Sequence, residues 1–526
     1  MYAPVAQLDR APASGAGGHR FKSCRAYRYD KRLGVTMKNN AFYILFLFTL
    51  FISGCSQKVS DYIEYSSTSS EAVKQMKAGL RYQDNLAQHL ARDAFQKAVD
   101  LDPEFAMAYY SLAQMTGDAV KRYEIAEKGR NLSSNANEGE KALMVAMDKD
   151  SWWGGDGNID WFEEVETFTK MFPKEYRYVN MLASMSNWNG DEKKAEAYYK
   201  QSLAIKDNPD ALNSLGYIYS GQGKMEECKN TLERQIEIAP DLANPYDSMG
   251  DYYLEIKDNA NAKKYFQKAL AIDPQFISSK RKIWRIDEEE AGNDLSPTKW
   301  STDSTAAVNA FNIGFWQFYN IHWNKAREQF EKAVAIDPEF AMPYLFLVFT
   351  PGDSLRSVEA KKIAEGLASN AGQYERDMIE YHLYRMDNPD ADDLSSRIQT
   401  LKEKYPFKPF VMITEAGDLY SKKEYKKASA IYTTMWERFD FPASLNMLGY
   451  ANMRLGDMNA AQQAFEQYID NNRMHPNPYD SMGEYWENMK QYQTAYDYYM
   501  MAYEQDSTFS ISKERAEALE DKLIRK

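Results

Sequence analysis

The sequence predicts an all-α fold, a long array of stacked helix pairs laid down in two duplicated halves. Three observations predict it. Small and apolar residues recur at steps of three and four within short blocks, the signature of helix stripes. These blocks repeat at intervals of about 34 residues, the length of one self-contained helix pair. Two long stretches also match across the chain. QFEKAVAIDPEFAMPY (Gln329 to Tyr344) follows AFQKAVDLDPEFAMAY (Ala94 to Tyr109) at a shift of 235, and NPYDSMGEYW (Asn477 to Trp486) follows NPYDSMGDYY (Asn244 to Tyr253) at a shift of 233. No stretch alternates convincingly with period two.

The clearest block runs from Ala243 to Phe276. Tyr246, Met249, Gly250 and Tyr253 form one helix stripe, and Ala262, Phe266 and Ala269 a second. Lys257-Asp258-Asn259 breaks the pattern into two helices and a turn, and Pro274 closes the unit. Gly250 and Ala262 carry almost no side chain, so the two backbones can approach closely while Tyr253 and Phe266 fill the space beside them. This pattern resembles the tetratricopeptide repeat. The resemblance implies a tetratricopeptide-repeat superhelix, or α-solenoid. A helix pair of this size cannot bury its apolar face alone, but stacked neighbours can.

The chain has 526 residues, too many for one core. It is 44% hydrophobic with 38 Tyr, which excludes general disorder. Acidic residues outnumber basic ones by 77 to 64, against a sequence-independent grip on nucleic acid. Three cysteines cannot build a disulfide framework. Cys228, at a small-residue core position, reads as a buried hydrophobe.

Residues 1–36 do not belong with the rest: VAQLDRAPASGAGGHRFKSCRAY looks like the translation of a transfer-RNA gene, and the expected start is Met37. Lys38 and the apolar run Ala41 to Ile52 then read as an export signal over residues 37–54, too short to span a bilayer. Ser53-Gly54-Cys55 resembles the lipobox of bacterial lipoproteins, with Ile52 where the family usually has Leu. The resemblance implies cleavage before Cys55 and lipidation of that residue, and Ser56 resembles lipoproteins sent on to the outer membrane. Several acyl chains anchor firmly where one binds marginally. Without everything before Cys55 the chain loses eight basic and two acidic residues and becomes more acidic, so that anionic headgroups repel it.

Residues 55–71 read as a polar tether whose Ser/Thr cluster supplies the N-cap of the first helix. A first repeat array is expected over 72–287, a charged and then Ser/Pro/Thr-rich linker over 288–304, and a second array over 305–526. Recognisable repeats are expected at Ala72–Phe105, Pro209–Leu242, Ala243–Phe276, Ala307–Phe340, Pro409–Phe441, Pro442–His475 and Pro476–Phe509, with a degenerate one at Tyr176–Asn208. Irregular helical stretches fill Ala106–Pro173 and Ala341–Pro406.

In the repeat family the first helix of each pair lines a partner-binding groove. The candidate groove residues this implies are Asn244, Asp247, Asp251 and Glu255, their counterparts Asn477, Asp480, Glu484 and Asn488, and elsewhere Asn213, Tyr217, Phe311, Phe315, Asn446 and Tyr450. Members that grip acidic chaperone tails use Lys and Asn here; Asp and Glu stand at the comparable places in two units, which favours a basic, amphipathic or uncharged partner. Asn-Pro-Tyr-Asp reads equally as a helix start, with Asn as N-cap, Pro at N1 and Asp favoured by the helix dipole.

Chemistry-bearing motifs are weak. In Gly216 to Lys224, Gln222 follows the second glycine where a phosphate loop needs its lysine. Asp156 to Asp160 opens like a calcium loop, but Trp161 replaces its glycine. The five histidines are scattered, so no metal, cofactor or catalytic set is expected. Trp152 and Trp153 beside a Gly-rich loop read as core or edge packing. The expected function is a non-catalytic scaffold, lipid-anchored in the bacterial envelope, binding protein or peptide partners through its grooves. The alternative is a glycan-binding outer-membrane lipoprotein of a polysaccharide-uptake system, since starch-utilisation lipoproteins share the length, lipid and helical repeats.

Overall fold

The computed structural model describes residues 63–116, 119–149, 161–293, 295, 298–350, 354–473 and 475–524. Cys55, the export signal, residues 1–36 and the Trp152 to Asp160 stretch lie outside them. The described residues form α-helices and one short 3-10 turn, with no strand. They divide into two compact units, one of Lys121–Pro274 with the described residues up to Thr116, the other chiefly of Gln275–Lys526.

The first unit holds α1 (Ser70–Gln83), α2 (Gln88–Leu101), α3 (Ala106–Gln114), α4 (Ala119–Asn131), α5 (Glu138–Lys149), α6 (Trp161–Met171), α7 (Tyr176–Trp188), α8 (Glu192–Ile205), α9 (Pro209–Gly221), α10 (Met225–Ile238), α11 (Ala243–Glu255) and α12 (Asn259–Ile272). The second holds α13 (Ile277–Glu290), α14 (Thr305–Tyr319), α15 (Trp323–Ile336), α16 (Ala341–Phe349), α17 (Ser354–Ala368), α18 (Gln373–Asp387), α19 (Leu394–Lys404), α20 (Pro409–Ser421), α21 (Tyr425–Phe439), α22 (Ala443–Leu455), α23 (Met458–Asn471), α24 (Pro476–Asn488), α25 (Tyr492–Gln505) and α26 (Ser510–Ile524).

The small-against-large rule holds the pairs together. A Cβ on Gly250 would sit 2.3 Å from the Phe266 ring, which is fully buried. Burying such a ring contributes about 2–3 kcal/mol. The same contact recurs between Gly79 and Phe95, Gly314 and Phe330, and Gly449 and Phe465. Cys228 is buried at the equivalent small-residue position, as expected.

The turn inside each regular repeat is set by one left-handed residue at the same register position. Gly190, Gly223 and Gly456 take it with φ between 72° and 81°, but Leu86, Lys257, Ile321, Lys423 and Lys490 also take it, with φ between 58° and 64°. Stacking of the flanking helices enforces a conformation that non-glycine residues disfavour.

Parts of the expected tether and linker are built into the fold. Ile63 is buried, Tyr65 meets Phe105 edge-on at 6.0 Å, and Ser69 caps α1 through the Ala72 amide at 3.2 Å. In the second unit Trp300 meets Phe340 at 6.0 Å and Ser304 caps α14 through Ala307 at 3.2 Å. A buried carboxylate pins each strap. Glu140 accepts from the Ser66 amide at 3.1 Å. Glu375 accepts from the Ser301 amide at 2.8 Å and from the Met342 amide at 2.9 Å. Burial pushes both carboxyls up from their ordinary range.

Helix α13, which the sequence places at the end of the first array, packs on α21 in the second unit. Arg281 donates to the Glu437 carbonyl at 3.0 Å and the Trp436 carbonyl at 2.6 Å, and pairs with Asp440 at 2.7 Å. Its charge meets the negative end of the α21 dipole. Within each unit the first pair also touches the later ones. Arg81 of α1 grips Asp241 in two places, and in the second unit Tyr468 donates to Asn320 at 2.6 Å while Lys325 pairs with Asp506 at 2.7 Å.

Candidate functional site on the inner helices

The first helices of successive repeats lie side by side, and their polar residues form ladders rather than a row of unused groups. In the first unit Ser248 donates to Asn213 at 2.6 Å and Tyr217 donates to Asp251 at 2.7 Å. The Tyr217 ring is 44% exposed, yet burial of its hydroxyl end and the Asp251 and Asp247 carboxylates hold its pKa well above the ordinary range. Asn244 is buried with its amide nitrogen unpartnered, Asp247 is buried, and Glu255 is exposed.

The second unit uses its counterparts differently. Asn477 donates to Tyr468 at 2.9 Å, inside the contact between the first and last pairs. Asp480 accepts from Ser512 at 2.7 Å and pairs with Arg515 at 2.6 Å, both on α26. Burial pushes the Asp480 carboxyl up against the pull of these two partners. Glu484 accepts from Tyr450 at 3.1 Å and also meets Arg515 at 3.5 Å. The chain's own last helix therefore covers this end of the expected groove. An open hollow of about 370 Å³ remains, lined by Glu484, Glu487, Asn488, Tyr499 and Arg515.

Asn244 and Asn477 are not N-caps: α11 and α24 begin one residue earlier, and their capping positions, Leu242 and His475, make no side-chain cap bond. Phe311 is 1% exposed and belongs to the core. Phe315 is half-buried within an aromatic hub, meeting Phe346 at 5.4 Å, Phe410 at 5.9 Å and Phe441 at 6.2 Å. Asn446 is buried too.

That hub brings α14 against the fourth repeat pair. Tyr319 reaches Phe441 at 5.7 Å, and His382 stacks on Phe410 at 4.7 Å with its pKa pushed down to about 3 by burial. The first unit places polar residues at the matching positions, and sequence reasoning missed them. Tyr176 donates to Asp84 at 3.4 Å, and Asn180 donates to Asp210 and to Asn208, each at 2.9 Å. Arg177 pairs with Glu175 at 3.3 Å. Burial pushes the Asp84 carboxyl up and drives Asp210 to about 7, with the Asp84 charge adding to the latter. The available signal was the duplication itself, through a comparison of Asp84 with Tyr319 and Arg177 with Phe410.

Repeated helix pairs in this register, with glycine against ring in several of them, define the class: an all-α tetratricopeptide-repeat superhelix in two duplicated halves. The family described as Tetratricopeptide repeat matches residues 209–242, 243–276 and 442–473. Over 289 residues the chain is 25% identical to the protein O-mannosyl-transferase TMTC3 of Homo sapiens, and over 236 residues 25% identical to the CTR9 homolog of Arabidopsis thaliana. These stretches cover 52% and 42% of this chain but only 28% and 20% of those relatives. Among solved structures, MamA is similar at 17% identity, covering 44% of this chain and 98% of its own, with a TM-score of 0.21. A chain of the APC/C hetero-tetramer Cut9-Hcn1 is similar at 13% identity, covering 86% and 97%, with a TM-score of 0.27.

Proposed function

We propose that this protein is a non-catalytic scaffold that binds a protein or peptide segment along the inner helices of its first unit, held in the bacterial envelope by lipid on Cys55. One observation carries the binding half of this reading. In the second unit α26 and an aromatic hub cover part of the inner positions, whereas in the first Tyr217 stays 44% exposed beside Asp251 and the buried Asn244 amide nitrogen has no partner. Buried polar groups cost stability unless something satisfies them. The anchoring half rests on the Ser53-Gly54-Cys55 pattern after its apolar run.

A photo-crosslinking residue at Tyr217, on the inner side, should capture a defined protein in intact cells, and the same residue at Trp323, 44% exposed on a second helix, should not. Equal capture at both positions would sink the inner-helix reading. Cys55→Ala should release the chain from membranes; full retention would sink the lipid anchor.

A further inference from the structure

In the second unit the first helix pair meets the last ones along a seam, and two histidines far apart in sequence come together there. His322, the residue before α15, and His475, the residue before α24, are 4% and 7% exposed. Their ring centroids lie 5.6 Å apart, and Trp316 of α14 meets the His475 ring at 4.2 Å, edge to face. The Nδ1 atom of each imidazole is buried and has no hydrogen-bond partner. The same seam carries the bonds that join Asn320, Tyr468 and Asn477.

The charges at this seam balance only while the imidazoles are neutral. Asp506, just after α25, lies 3.0 Å from His322 Nε2 and 2.7 Å from Lys325 of α15. It also accepts from the Thr508 amide at 2.9 Å and the Thr508 hydroxyl at 2.7 Å, so its oxygens are already in use. Arg473, close before His475 in the chain, is paired with Asp470 at 2.7 Å. With both imidazoles protonated, Lys325, His322 and His475 would set three cations against the Asp506 carboxylate, in a place where burial strengthens repulsion. Burial and then Lys325 hold His322 below its ordinary range against the pull of Asp506. Burial, His322 and Lys325 push His475 down to about 3.

The first unit shows that closure itself does not call for these histidines. In the register of the duplication Ala87 and Leu242 stand where the second unit has His322 and His475, and both are buried. Arg81 and Asp241 tie that seam instead.

We propose that the second unit's seam is a pH-sensitive latch, closed while His322 and His475 are neutral and loosened when they take up protons. The inference goes beyond the scaffold reading and does not depend on peptide binding. An imidazole freed by opening returns to its ordinary value of 6.5, above its value in the closed seam. Closure is therefore fully stable above about pH 6.5 and weakens as the pH falls below it towards about 3. At about pH 5.5 the freed His475 alone favours opening roughly tenfold.

The test is amide hydrogen exchange, read by mass spectrometry on the intact chain at about pH 7.5 and about pH 5.5 and corrected for intrinsic rates. Opening at the seam ends of α14 and α24 should rise roughly tenfold or more at the lower pH, with no comparable rise at the Arg81–Asp241 seam. His322→Ala with His475→Leu, which copies the first unit, should abolish the rise while exchange at the higher pH stays slow. His475→Gln, a smaller change that keeps a polar side chain without a titrating ring, should remove most of it. A wild-type seam that opens equally at both pH values would overturn the latch. So would a rise that persists undiminished in His475→Gln.

Discussion

Tyr450 donates its phenolic hydrogen to Glu484 on the inner helix of the next repeat, and in the first unit Tyr217 does the same to Asp251. Each bond ties the inner helix of one repeat to that of the next, and the two halves share it with Glu in one and Asp in the other. Tyr450→Phe removes the donor and leaves the carboxylate short of a partner, a loss of about 1–2 kcal/mol. Faster amide exchange confined to α22 and α24, read by mass spectrometry, is the expected outcome. Tyr217→Phe removes the matching bond to Asp251 and should cost a similar amount.

Gly250 faces the Phe266 ring with no room for a Cβ, which would lie 2.3 Å away. Gly250→Ala should destabilise the first unit by about 1–3 kcal/mol through overpacking. Coupling the change with Phe266→Leu, which shortens the opposing group, should recover part of that loss. Strict additivity in the double-mutant cycle would show that the two residues do not act through this contact.

Lys257 holds φ at 62° at the turn where Gly223 holds 72°. A non-glycine residue there costs about 1–2 kcal/mol, while glycine adds about 0.5–1 kcal/mol of chain entropy to lose on folding. Lys257→Gly should therefore raise the thermal midpoint slightly, and Gly223→Ala should lower it. Scanning calorimetry on both variants checks the opposite signs.

The Asp210 carboxyl titrates near 7 when folded and near 3.8 as a free side chain. The unfolded chain thus releases this proton first, so the Asp210 contribution to stability is most favourable below pH 4 and is lost as pH rises towards 7. Asp210→Asn should gain on the order of a few kcal/mol at pH 8 and close to nothing at pH 4. Denaturant midpoints at the two pH values provide the comparison; an equal gain at both would refute the assigned burial of charge.

The periodic residues were legible because their geometry is local. Gly250 and Phe266 belong to one helix pair, and small-against-large packing within a pair leaves a spacing that can be read from the chain. The candidate groove was less legible. Asp480 and Glu484 sit on the expected inner side, but their use depends on Arg515 of α26, whose approach no repeat pattern encodes. Phe315 reads as groove lining because its register is right; only contact with Phe410 and Phe441 turns that inner face into core. The straps at Tyr65 and Trp300 read as tether and linker because their anchors, Glu140 and Glu375, lie well beyond the reach of a single repeat.

By itself, the sequence determined the helix pairs, their repeat length and their duplication, since all three follow from side chains that meet within about one repeat. Tertiary structure decided what occupies the centre of each unit. Asp84 and Asp210 become neighbours only when successive pairs stack through a turn of the array, and the same turn in the second half closes Tyr319 on Phe441. The angle between neighbouring pairs accumulates over the intervening repeats, so residues several repeats apart are brought together by a sum of small packing rotations that no local spacing records.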